Sequence, residues 1–92
     1  MEIIMKIKEG FVLRRVMGNY VVVAVGEASK KFRGMIKLNA TAAEVWKGID
    51  KGLSSSEICD AICEEYEVER SVAERDVERV VAELIDNGFV IA

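Results

Sequence analysis

Histidine and proline are absent from this chain of 92 residues, cysteine occurs twice and tryptophan once. Each shortage removes a class of explanation. Without histidine, the commonest general base and a frequent metal ligand are missing. Cys59 and Cys63 cannot supply the four ligands of a structural zinc site. Four residues apart on one helix, their Cα atoms would lie about 6 Å apart with poorly directed Cβ vectors, so no disulfide is expected. Both read as small core residues. Neither Gly-x-x-x-x-Gly-Lys nor Gly-x-Gly-x-x-Gly occurs, so no phosphate cradle is expected. No apolar run approaches the ~20 residues of a membrane span. Met1 to Ile7 alternates apolar and charged residues and lacks the apolar core of an export signal. A reducing cytoplasm is therefore the expected compartment. Without proline, no loop is stiffened by one.

What is present is apolar and periodic. Apolar residues make up 51% of the chain, dispersed rather than in one block. The length fits one domain over residues 1–92, large enough to bury a core without cross-links. The net charge of −3 conceals a split. Residues 1–40 hold eight Lys/Arg against three acids, which is +5; residues 41–92 hold five against thirteen, which is −8. Such asymmetry points to a charged partner or to contact between the halves.

Residues 1–9 form a charged lead-in, an edge strand or a frayed end. Phe11 to Val16 reads as a strand, Met17-Gly18-Asn19 as a turn, and the valine-rich Tyr20 to Val25 as a second strand. Gly26 to Gly34 is a polar loop carrying Lys30, Lys31 and Arg33, and Met35 to Leu38 is a third, short strand. Three capping-box pairs follow: Thr41 with Glu44, Ser54 with Glu57, Ser71 with Glu74. They predict three helices. The first runs over 41–51 with Ala42, Val45, Trp46 and Ile49 inward, and Gly52 ends it. The second runs over 55–66 with Ile58, Ala61, Ile62 and Tyr66 inward. The third runs over 72–87 with Ala73, Val77, Val80, Val81, Leu84 and Ile85 inward, closed by Asn87-Gly88. Phe89 to Ile91 is a last strand or an apolar tail. The fold class is α+β, winged helix-turn-helix-like: an N-terminal three-stranded antiparallel sheet followed by three helices.

Leu38-Asn39-x-Thr41-Ala42-x-x-Val45-Trp46-x-x-Ile49-x-x-Gly52 and Ser54-x-x-Glu57-Ile58 resemble the PqqD family, peptide-binding chaperones first named in pyrroloquinoline quinone biosynthesis. Asp76-Val77-x-x-Val80-Val81-x-x-Leu84-x-x-x-Gly88 resembles that family's last helix, and Gly18-Asn19-Tyr20 with its valine run resembles a hairpin of many members. The resemblance spans roughly residues 10 to 91. It implies a precursor-peptide recognition element, which binds the leader of a ribosomally made peptide and presents it to a modifying enzyme, often a radical S-adenosylmethionine enzyme.

The residues support such a binder independently. Catalysis has no candidate: Ser54-Ser55-Ser56 has no base beside it and reads as a helix cap. No catalytic residue, metal ligand or cofactor is assigned. Trp46 reads as core or core edge. The third helix would be the DNA reader of a winged helix, but Glu74, Asp76, Glu78, Glu83 and Asp86 against Arg75 and Arg79 repel phosphate. If Met35 to Leu38 is a sheet edge, its unpaired backbone groups can template an added peptide strand. Alternation puts Ile36 and Leu38 toward the core and leaves Met35 and Lys37 as the ligand contacts. Val77, Val80 and Leu84 shape the groove, and Asp76 and Arg79 stand at its rim. Lys30, Lys31 and Arg33 form a solvated loop or steer an acidic ligand. Neither nucleic acid nor membrane is an expected partner. The rival readings are a winged-helix DNA-binding regulator and a structural subunit that binds its enzyme and no peptide.

Overall fold

The computed structural model describes residues 5–31 and 34–92. Residues 1–4 of the expected lead-in, and Arg33 of the basic loop, lie outside the described residues. The elements are β1 (Lys6–Ile7), β2 (Phe11–Val16), β3 (Asn19–Ala24), α1 (Ala28–Lys31), β4 (Met35–Leu38), α2 (Ala40–Asp50), α3 (Ser55–Tyr66), α4 (Arg70–Asp86) and β5 (Val90–Ile91). Strands β2, β3 and β4 form an antiparallel sheet in that order, while β1 pairs with β5. The α+β order is the expected one. The polar loop differs from expectation in holding the short α1, and the last segment, read as a strand or a tail, is the two-residue strand β5.

The β2–β3 turn is tight because Met17 and Gly18 both take positive φ, 51° and 82°. Two successive left-handed residues make a type I′ turn, whose twist matches that of the strands it joins. Alternation then sorts the sheet. Leu13, Val22 and Ile36 stand in one row, and this row packs on the hydrophobic cluster.

That cluster joins the sheet to all three long helices through Val22, Val45, Trp46, Ile49, Ile58, Ile62, Ala73, Val77, Val80, Leu84 and Phe89. Phe89 is 1% exposed. Its ring meets Phe11 edge-on at 5.0 Å and Trp46 at 6.0 Å. Gly48 lets α2 and α3 approach closely: a Cβ there would lie 2.6 Å from Ile58 Cγ1.

Two of the three expected capping boxes are replaced. The Ser54–Glu57 box forms, with Ser54 N–H donating to Glu57 and Glu57 N–H donating to Ser54. At α2 the cap is Asn39, whose Oδ1 accepts from Ala42 N–H at 2.8 Å. Asparagine caps as well as threonine does and stands where the extended strand ends, so the helix starts earlier than Thr41. At α4 the cap position is Glu69, with no side-chain cap bond. Arg70 takes Glu74 instead, at 3.1 Å, and also bonds Asp60 and Ser56 of α3. Three inward assignments also change. Ala61 is exposed, Tyr66 is 41% exposed and Ile85 is 38% exposed. Cys59 takes an inward place on α3 beside Ile58 and Ile62.

Candidate functional site

One margin of the sheet is β4, which pairs with β3 and with no other described strand. Its pattern is the expected alternation: Met35 is 65% exposed and Lys37 is exposed, while Ile36 and Leu38 are half-buried against the core.

Register determines where the backbone groups of β4 point. Val25 N–H donates to Gly10 O at 2.7 Å. Facing residues in an antiparallel ladder alternate between pairs that exchange hydrogen bonds and pairs that do not. From Gly10 and Val25, the exchanging pairs of β2 and β3 are Val12 with Val23, Arg14 with Val21 and Val16 with Asn19. Tyr20 and Val22 therefore turn their backbone groups to the other side, toward Leu38 and Ile36. By the same alternation, the N–H and C=O of Met35 and Lys37 face outward. Two residues thus offer two donors and two acceptors to an incoming strand.

Helix α4 carries the rest of the expected site. Val77, Val80 and Leu84 are 1%, 2% and 3% exposed. They belong to the cluster on which Ile36 and Leu38 pack, so they stand behind the surface that the helix presents. Asp76 is half-buried and Arg79 exposed. Arg79 lies 3.9 Å from Asp76 and 3.6 Å from Glu83. Arg70 and Glu74 occupy the flank toward α3, where Arg70 bonds Ser56 at 3.1 Å. At 100° per residue, Asp76, Arg79 and Glu83 lie on the flank away from α3.

A second polar group sits across the sheet, without any local sequence signal. Lys47 Nζ lies 3.3 Å from Tyr20 Oη and 4.6 Å from the ring centroid, with Arg15 at 5.3 Å from the same ring. The Tyr20 hydrogen bond, aided by Glu44, raises the Lys47 pKa and keeps its charge. Tyr20 and Lys47 are 27 positions apart, and only the fold brings them together. Trp46 is core, as read, at 2% exposed, and it also lines a cleft between β2 and α2. Burial pushes the Cys59 thiol above its ordinary pKa, and both cysteines are free. Among the described residues no group of three or more His, Cys, Asp or Glu converges as metal ligands. No helix among them is long and apolar enough to cross a membrane.

Fold and margin together define an α+β module of sheet and helices, bordered by a strand with one side open among the described residues. The family profile of coenzyme PQQ synthesis protein D matches residues 19–90. The chain belongs to the PqqD family. Among solved structures, a lasso peptide synthetase B1 complexed with the leader peptide is 25% identical, covering 96% of this chain and 98% of that one, with a TM-score of 0.77. TbiB1 in complex with the TbiA(β) leader peptide is 26% identical, covering 92% and 93%, with a TM-score of 0.75. The PqqD part of Methylobacterium extorquens PqqCD, a stand-alone recognition element for ribosomally synthesised and post-translationally modified peptides, shares the fold at 19% identity, covering 97% and 89%, with a TM-score of 0.76. No curated protein matches the chain.

Proposed function

We propose that this protein is a non-catalytic recognition element that binds the leader of a ribosomally made precursor peptide by strand addition to β4. The carrying observation is the outward N–H and C=O of Met35 and Lys37 on an unpaired edge. An added strand gains affinity from those backbone bonds and specificity from its alternate side chains. Side chains on one face of the leader meet Met35 and Lys37; those on the other meet Ile36, Leu38 and the rim at Asp76 and Arg79. Val77, Val80 and Leu84 hold that wall from behind. The two leader-bound structures, TbiB1 and the B1 synthetase, support this reading. The whole chain works as one unit in the cytoplasm and hands the peptide to a modifying enzyme, of the radical S-adenosylmethionine type.

The test is Lys37→Pro with the cognate leader. The lost N–H points outward, so the β3–β4 ladder stays intact and circular dichroism should remain that of the wild type. Leader affinity should drop about tenfold, the scale of one backbone hydrogen bond plus local distortion. A folded Lys37→Pro variant with wild-type affinity would move the site off this edge. In wild-type protein, leader-induced amide shifts should concentrate at residues 35–38 and along α4.

A further inference from the structure

The sheet has two margins, and the second also leaves backbone groups open. Strand β2 pairs with β3 and with no other described strand. The alternation that turns Arg14 toward β3 turns the N–H and C=O of Leu13 and Arg15 away from the sheet. Beside this edge lies a cleft of about 270 Å³, lined by Phe11, Val12, Leu13 and, from α2, Trp46, Lys47 and Asp50. Four of its six lining residues are apolar, and Asp50 and Lys47 are charged. Lys47 lies 3.7 Å from Glu44, so the cationic excess beside the cleft comes from Arg14 and Arg15. Arg15 and Lys47 flank the Tyr20 ring from 5.3 Å and 4.6 Å. Arg14 and Arg15 form no ion pair with a described carboxylate.

We propose that the β2 edge is a second strand-addition site, occupied by an extended acidic segment of the enzyme that modifies the precursor. The identity of that enzyme rests on the proposed function; the edge and its charge do not. A second copy of this chain is disfavoured, because two-fold pairing of β2 with itself gathers two copies of Arg14, Arg15 and Lys47 at one seam. Geometry specifies the segment further. In an antiparallel addition, the residue facing Arg15 lies on the Tyr20 and Lys47 side and is acidic. The next residue faces Arg14 on the outer surface and is acidic too. The one after faces Leu13 over the Trp46 cleft and is apolar. The motif is acid-acid-apolar. Strands step by ~4.8 Å, so a segment on β2 lies four steps, about 19 Å, from a leader on β4. Roughly six extended residues of the peptide span that distance. The enzyme and the leader therefore occupy opposite margins without competing.

The probe is a blocked peptide carrying Glu-Glu-Leu between threonine and valine residues, with a Lys-Lys-Leu version as its control. Both are titrated into wild-type protein saturated with leader, in which β4 is occupied, and into the Lys37→Pro variant, in which the β4 edge is weakened. The Glu peptide should shift the amides of Leu13 and Arg15 and the Trp46 indole N–H. Joint reversal, Arg15→Glu with Lys47→Glu, should weaken the Glu peptide about tenfold, the sum of two exposed charge contacts, and should admit the Lys peptide. Shifts absent from β2, or equal binding of both peptides to the wild type, would overturn the proposal. So would concentration-dependent Leu13 and Arg15 shifts accompanied by dimer formation in sedimentation, which would make the occupant a second copy. A leader that fails to bind β4 while the Glu peptide still binds β2 would remove the leader reading and leave this edge standing.

Discussion

The helical and sheet halves of this protein follow opposite rules. In the helical half, α2, α3 and α4 close around buried apolar stripes, and the exposed faces are acidic. In the sheet half, strand pairing among the described residues stops at β2 and β4, and the excess charge is basic. Burial without open backbone makes the first half the source of stability. Open backbone at its margins makes the second half the proposed surface for partners. The difference teaches that a 92-residue protein can separate the two tasks along its chain.

Mutations can break that division or sharpen it. Phe89→Ala removes the ring that Phe11 and Trp46 pack on. It should cost about 3–5 kcal/mol, enough to erase most of a small protein's stability, read by urea unfolding. Gly48→Ala drives a methyl into Ile58 and should cost about 1–2 kcal/mol, because overpacking outweighs the better helix propensity of alanine. Wild-type stability would mean that α2 and α3 part freely and that the helical half is looser than its burial implies. Ser54→Ala removes one arm of the capping box and should cost about 1 kcal/mol, a fall of ~4–8 °C in Tm. Met17→Asn works the other way. Met17 is 95% exposed with φ 51°. Asparagine tolerates that conformation better, so stability should rise by about 0.5 kcal/mol. A fall would show that Met17 makes contacts that hold the hairpin, and the sheet half would then share in stability.

Much of this division was legible in the sequence, and the exceptions have physical causes. Strands at Phe11–Val16 and Met35–Leu38 and the helix at Ser55–Tyr66 stand where alternation and period place them. Boundaries that depended on caps shifted where a competing group was stronger. Asn39 outcompeted Thr41 because it sits at the strand end, and Arg70 recruited Glu74 that Ser71 would have used. Ala61, Tyr66 and Ile85 kept helical spacing yet stayed exposed, since periodicity names a face but not how far the neighbouring helix covers it. At the site, the inward and outward residues of β4 followed from alternation alone. The depth of Val77, Val80 and Leu84 did not, because only packing decides whether an apolar stripe lines a groove or supports it. The Tyr20–Lys47 contact spans 27 positions, and no local pattern announces it.

The pairing of β1 with β5 brings Lys6 beside Ile91. It closes a loop of 85 residues (91 − 6), nearly the whole chain. Loop closure of that length carries a large entropic cost, and four residues pair in return, continued by the bond from Lys8 N–H to Phe89 O. A contact of such high sequence separation is expected to close after the local helix and hairpin contacts have formed. Contacts made after the folding barrier chiefly govern the rate of unfolding. Breaking this β1–β5 clasp should then raise the unfolding rate more than it lowers the folding rate, a difference read from the two limbs of a chevron plot.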